Sequence, residues 1–152
     1  MLRLAAETDS QGIQHLGASV YPHNHFEGVE AVRTKILGYP AGCFVKTVNG
    51  ELAGYVLSFP YEMGLEFPLN LEFDTRRAAQ PSCHYIHDLC VGRRWQGQGY
   101  GEELAGAMFR IPLWPKTLTA VCESQWFWRL LGFQIIREVN YAGSRAVYMV
   151  KY

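Results

Sequence analysis

The sequence predicts an α/β fold: a mixed α+β sheet of about seven strands with about four helices on its faces. Three observations predict it. Strand-like and helix-like segments follow in the order βααββ and then βαβαββ. Asn49-Gly50 joins two apolar runs, the strongest short-range hairpin signal. A strand-like run, His84–Val91, leads through three glycines at alternate positions into a helical pattern. The 152 residues, 49% of them apolar, fit a single domain over 1–152, of a size that buries roughly two-thirds of its unfolded surface.

The elements follow in order. Leu2 and Leu4 suggest a short first strand. Thr8, Asp9 and Ser10 offer helix caps, and Ile13, Leu16 and Val20 follow at helical spacing until Pro22 stops them. Phe26, Val29, Val32 and Ile36 describe a second helix, ended by Gly38 and Pro40. The hairpin pairs 43–48 with 52–57. Residues 60–82, with prolines and the acids Glu62, Glu66, Glu72 and Asp74, read as a long loop with a short helix near Leu71–Arg76. A loop of that length is usually functional. Leu104, Ala107, Met108 and Ile111 share one helix face, broken by Pro112 and Pro115. Leu118–Cys122 is a fifth strand, and Ser124 can cap a helix over Gln125–Leu131. Strands at 133–139 and 146–150 flank a turn at 140–144.

Lys plus Arg and Asp plus Glu number 14 each, so no basic footprint for nucleic acid or an anionic membrane exists. No apolar run reaches the roughly 20 residues of a membrane helix. The first residues turn polar too soon for a secretory signal. A reducing cytoplasm is the expected location, with Cys43, Cys83, Cys90 and Cys122 as free thiols.

Residues Gln96-Gly97-Gln98-Gly99-Tyr100-Gly101 carry the chemistry. Without side chains, backbone N–H groups can turn toward a phosphate, and a helix N-terminus adds partial positive charge. A dinucleotide fingerprint starting at Gly97 needs glycine where Glu102 stands, and a Walker loop needs Lys-Ser/Thr after its last glycine. Both patterns fail.

What remains, Gln96-x-x-Gly99-x-Gly101 after the strand Tyr85–Val91, resembles the GNAT superfamily of N-acetyltransferases, whose CoA signature is Gln/Arg-x-x-Gly-x-Gly/Ala. Gly54–Ser58 resembles that family's third strand. Ala120-Val121 with Phe127-Trp128 and Leu131-Gly132-Phe133 resembles its aromatic-rich last helix. The resemblance implies a central parallel strand pair that splays at a β-bulge. It implies that Leu89, Cys90 and Val91 pair through their backbone with pantetheine, while Gln96, Gly97, Gln98, Gly99, Tyr100 and Gly101 hold the pyrophosphate. The implied activity is transfer of acetyl from acetyl-CoA to a primary amine of an acceptor expected to be a small molecule, by direct attack in a ternary complex. A non-catalytic acyl-CoA-binding module and a protein N-acetyltransferase are the alternatives.

Such transfer needs a base for the amine and an acid for the thiolate. His87 and Asp88 are the candidate bases. The family's acid is a tyrosine four residues before Gly-Phe, where this chain has Trp128. Tyr85, Tyr55 or direct thiolate exit are the substitutes. Against these roles stands a structural reading, with His87 a satisfied sheet histidine and Asp88 a backbone cap. The acidic loop either attracts a cationic amine or is a solvated face. No metal is expected: His23-x-His25 lacks a third ligand, and Cys83 and His84 point to opposite faces of a strand. Exposed edges and Trp-rich helices are compatible with a homodimer.

Overall fold

The structure is a computed structural model. It describes residues 1–22 and 25–152, apart from the side chains of residues 78 and 122. The strands are β1 (Leu2–Leu4), β2 (Phe44–Val48), β3 (Glu51–Tyr61), β4 (Cys83–Val91), β5 (Lys116–Val121), β6 (Gln134–Tyr141) and β7 (Ser144–Lys151). The helices are α1 (Ser10–Val20), α2 (Val29–Gly38), α3 (Tyr100–Phe109) and α4 (Gln125–Leu130). One sheet runs in the order β1-β2-β3-β4-β5-β7-β6. All neighbours are antiparallel except β4 and β5. The predicted order and the mixed sheet are as expected.

Period-two alternation sends side chains to both faces. Tyr55 and Leu57 of β3 join Ile13, Val32, Ile36 and Val45 beneath α1 and α2. Val56 between them packs with Leu104, Met108, Leu118 and Trp128 on the α3 side. A third cluster is aromatic: Phe59, Phe67, Phe73, Tyr85 and Tyr148. Cys43, Cys83 and Cys90 are buried free thiols.

Several boundaries differ from the sequence reading. Strand β3 runs past residue 60 to Tyr61, with Pro60 opposite His84. Tyr61 O accepts from Ser82 N on the β4 side, so Pro60 turns its missing N–H to the other edge. There β2 has already ended, since its last partner along β3 is Val56. A proline is tolerated where no ladder bond is required. Within the loop that follows, the helical turn lies at Thr75–Ala78 rather than Leu71–Arg76, with Asp74 accepting from Arg76 N. Helix α2 starts at Val29, three residues later than Phe26. The expected caps are not used: Asp9 pairs with Arg3 and accepts from Ala6 N, and Ser124 Oγ donates back to Val121 O.

The parallel ladder is short, pairing only His84, Tyr85 and Ile86 with Lys116, Thr117 and Leu118. A buried polar chain fastens its root. Lys116 Nζ donates to His84 Nδ1 (2.8 Å) and to Ile111 O (2.7 Å). His84 Nε2 then donates to Ser58 Oγ (2.7 Å), and Ser58 donates to Gly42 O (2.7 Å). Both His84 nitrogens are satisfied when the ring is neutral, Nδ1 accepting and Nε2 donating. All three side chains are fully buried. They tie β3, β4 and β5 together immediately below the point where β4 and β5 part.

Burial, and then the neighbouring Lys116 ammonium, push the His84 imidazole down to about 3. The unfolded chain takes up this proton near pH 6.5, whereas the folded one refuses it. Stability owed to neutral His84 is therefore complete above about pH 6.5 and lost as pH falls toward 3. The urea midpoint is expected to drop between about pH 6.5 and 4.5, and His84→Gln should flatten that drop. Equal pH slopes in the two proteins would contradict the assignment.

Candidate active site

Beyond Ile86 the two parallel strands diverge. Leu57 pairs with Asp88 and Ser58 with Ile86, so His87 is an extra residue in β4, a β-bulge. The extra residue inverts the alternation. Below it, His84 N–H points toward β5 and bonds Pro115 O. Above it, Gly92 N–H points the opposite way, to Ala53 O on β3. Counting back from Gly92, the main-chain groups of Leu89 and Val91 face the gap left by β5, and those of Cys90 face β3. Leu89 and Val91 are thus the strand residues with backbone polar groups offered to the gap. Cys90, expected to share that role, turns its side chain into the α1/α2 core.

The gap opens into a cavity of about 1260 Å³. One end is the glycine-rich loop, with Gln96, Gly97, Gly99, Tyr100 and Gly101 in its wall; the middle is lined by Ile86, His87, Asp88, Leu89 and Val91. Gln98 and Tyr85 are not among the lining residues. Gly97 and Gly99 have φ of 81° and 83°, a left-handed conformation that side chains disfavour. Gly99 is also the N-cap of α3. The first helical N–H to find a partner is that of Glu103, at Gly99 O, which leaves the preceding amides of the first turn available to an anion. At Gly101 an added Cβ would come within 3.2 Å of the Phe127 ring, so α4 closes down on the loop only because that side chain is missing. Gln96 Nε2 donates to Val91 O (3.0 Å), joining loop to strand.

His87 turns its ring toward Phe59 and Phe67, with centroids 5.8 Å and 5.4 Å away. Its side chain is 1% exposed, although the residue as a whole is only half-buried; what is open at the bulge is its backbone. Nε2 lies 3.0 Å from Glu27 Oε2, within ionic reach but out of line for a hydrogen bond. The same oxygen accepts from Lys35 Nζ (2.9 Å) and Asn70 N (2.8 Å). Burial alone would raise the Glu27 carboxyl; the close approach of His87 and then of the Lys35 ammonium outweighs it and holds the group at about 2. His87 Nδ1 has no hydrogen-bond partner among the described residues.

Asp88 faces the same side as His87 because of the bulge. Tyr55 donates to its Oδ2 (2.7 Å), and the Tyr21 hydroxyl lies 2.7 Å from its Oδ1. Burial raises its pKa more than His87 and these two hydroxyls lower it. Tyr85 is buried in the aromatic cluster, its hydroxyl shared with Thr119 Oγ1 (2.9 Å) and accepting from Phe67 N (3.2 Å). Trp128 is buried against Phe127 and Phe133.

Other sequence candidates disperse. Glu66 pairs with Arg137 and Asp74 with Arg76, so these two acids are engaged. Cys83 contacts Thr117 (3.2 Å) while His84 contacts Ser58. Of His23-x-His25, His23 lies outside the described residues; His25 Nε2 meets Ser144 Oγ at 2.8 Å. Among the described residues no three metal-ligating side chains converge. Among the described residues no helix is long and apolar enough to cross a membrane. Sequence reasoning passed over Tyr21, Glu27 and Lys35. Tyr21 was hidden beside the helix-stopping Pro22, and the other two by pairings that no local pattern announces.

The profile of the Acetyltransferase (GNAT) family matches residues 11–111, from α1 through α3. The chain belongs to the GNAT family of acetyltransferases. No curated protein matches the sequence significantly. Among solved GNAT folds, Ard1 from Thermoplasma volcanium is similar with a TM-score of 0.79 at 16% identity, covering 99% of this chain and 95% of that one. The loading GNATL domain of CurA from Lyngbya majuscula is similar at 0.82 and 14%, covering 99% and 96%. Arabidopsis thaliana Naa50, solved with the bisubstrate analogue CoA-Ac-MVNAL, is similar at 0.72 and 13%, covering 100% and 97%. At these identities the likeness is one of fold. GNAT enzymes are acyltransferases, and the glycine cradle and exposed strand backbone of this member fit a CoA donor.

The left-handed N-cap gives a direct test. Gly99→Trp forces a side chain into a conformation that costs roughly 1–2 kcal/mol and crowds the anion cradle. CoA affinity, measured by calorimetry, is expected to fall more than about tenfold with the circular dichroism spectrum retained. A folded variant with wild-type affinity would remove the loop from the site.

Proposed function

We propose that the protein transfers an acetyl group from acetyl-CoA to the primary amine of a small-molecule acceptor, by direct attack within a ternary complex. The observation that carries this reading is the bulge at His87. It turns the backbone of Leu89 and Val91 into the gap between β4 and β5, in line with the cradle at the start of α3. Leu89 and Val91 then hold the pantetheine arm, and the amides of Gly97 to Gly101 hold the pyrophosphate. A backbone N–H at the bulge polarises the thioester carbonyl, a donor fixed before the substrate arrives.

An alkylamine with a pKa of about 10 is mostly protonated at neutral pH and must lose a proton to attack. His87 is our choice of base. Its backbone stands in the cavity wall, its buried ring places Nε2 3.0 Å from Glu27 Oε2, and its Nδ1 has no hydrogen-bond partner among the described residues. With Nε2–H toward the carboxylate, the lone pair falls on Nδ1, which can take the proton directly or through one water. Asp88 is less suited, since both its oxygens are engaged by the Tyr21 and Tyr55 hydroxyls.

The acceptor end of the cavity is formed by Tyr21, His25, Leu69, Tyr141, Ser144 and Arg145. There the His25–Ser144 contact bridges the α1–α2 connection and the β6–β7 turn. A bridge across that end supports a compact acceptor over an extended peptide, the analogue type held by Naa50.

Pure protein with acetyl-CoA and a panel of small amines should release free thiol, and peptides with free N-termini should be poorer acceptors. His87→Ala should lower kcat by about 100-fold while leaving CoA affinity nearly unchanged. CoA binding with no turnover on either panel would favour a non-catalytic module, and turnover confined to peptides would move the assignment to protein acetylation.

A further inference from the structure

We propose that Tyr21 is the general acid that returns a proton to the departing CoA thiolate, with Asp88 as the positioning group that resupplies it. The proposal rests on the acetyl-transfer reading above and fills the role that Trp128 cannot, since an indole N–H is a donor that does not ionise in the useful range.

The geometry begins at the end of α1. Tyr21 lines the cavity, and its hydroxyl lies 2.7 Å from Asp88 Oδ1 and 2.7 Å from Leu89 O. Leu89 is the first residue after the bulge to turn its backbone into the gap. A phenolic proton is therefore held at the edge of the groove where the thioester end of pantetheine must lie.

Proton counting sharpens the point. A phenol has one proton, so both contacts are hydrogen bonds only if one of the partners donates. A carbonyl oxygen cannot. Tyr21 OH is within donating distance of both Asp88 Oδ1 and Leu89 O, and Cys90 also bonds this hydroxyl. One arrangement that satisfies the set has a protonated Asp88 donating to the Tyr21 oxygen while Tyr21 donates to Leu89 O. The remaining oxygen of Asp88 accepts from Tyr55. The groups facing this carboxyl are Tyr21, Tyr55, His87, Glu27, Cys90 and Lys35, and burial is the largest influence, raising its pKa above the usual carboxylate value. Gly17 helps to set the arrangement, since a Cβ there would stand 2.7 Å from the Tyr55 hydroxyl.

Leu89 O is also a natural partner for a pantetheine amide. Once an N–H of the donor takes that carbonyl, the Tyr21 proton is released toward sulfur. The step balances as follows. The amine nitrogen bonds to the acyl carbon and the C–S bond breaks, leaving its electron pair on sulfur. The phenolic proton moves to sulfur, and the Asp88 proton restores the phenol. The proton removed from the amine at His87 returns to Asp88 through solvent, and nothing is oxidised or reduced.

Other tyrosines are worse placed. Tyr55 lies behind Asp88, Tyr85 does not line the cavity, and Tyr141 gives its proton to Phe67 O at 2.6 Å.

The decisive measurement uses CoA alone and the full chain. In the CoA complex, the NMR shift of an isotopically labelled methylene beside sulfur reports thiol ionisation. The thiol should titrate at about tenfold higher proton concentration in the wild type than in Tyr21→Phe, the effect of one hydrogen bond to a thiolate. A merely structural tyrosine would not move it. Identical titrations at equal CoA affinity, or a shift produced by Tyr141→Phe instead, would overturn the proposal. With a turned-over amine, Tyr21→Phe should lower kcat by about 100-fold and change KM for acetyl-CoA little. Asp88→Asn keeps the phenol in place and should lower kcat by about tenfold without shifting the thiol titration; wild-type kcat there would remove Asp88 from the relay. If no amine is acetylated, the transfer reading fails, while the thiol titration still decides whether Tyr21 addresses sulfur.

Discussion

One extra residue in β4 sets up everything around the site. Without His87 as a bulge, the backbone of Asp88 rather than Leu89 would face β5, and the two strands could continue pairing. With it, two adjacent side chains, His87 and Asp88, fall on the same face, an arrangement that an unbroken strand forbids. The site's polar groups and its groove thus have a common cause in a local change of register.

That irregularity is affordable because its surroundings are rigid. Below the bulge, the Lys116–His84–Ser58 chain cross-links three strands in the core. Above it, Gln96 ties the glycine loop back to Val91. The groove lies between these two fastenings. The same local geometry gives the two adjacent side chains different partners. His87 sits against the Glu27 carboxylate, which Lys35 also contacts, whereas Asp88 sits between two hydroxyls in a buried setting that raises its pKa.

Much of this was legible in the sequence, for physical reasons. Asn49-Gly50, the alternating runs and the glycines at 97, 99 and 101 are local signals, and each corresponds to a local structure. The end of β3 was not legible, because Pro60 is compatible with a strand only if that edge is unpaired, a fact about β2 and not about Pro60. The cavity wall at Leu89 and Val91 was anticipated through the family resemblance, but the exclusion of Cys90 depends on bulge parity. Tyr21, Glu27 and Lys35 were invisible because their partners lie 67, 8 and 36 positions away and none belongs to a recurring pattern.

The short connection between α1 and α2 has a consequence for how such a protein can diversify. Tyr21 stands at one end of it and Glu27 at the other, and His25 between them reaches the β6–β7 turn. Lengthening or reshaping this segment to admit a new acceptor would displace the partners of both His87 and Asp88. Selectivity and turnover are therefore coupled through a single stretch of chain. Lineages that changed acceptor by remodelling it would have had to rebuild their proton-handling groups at the same time.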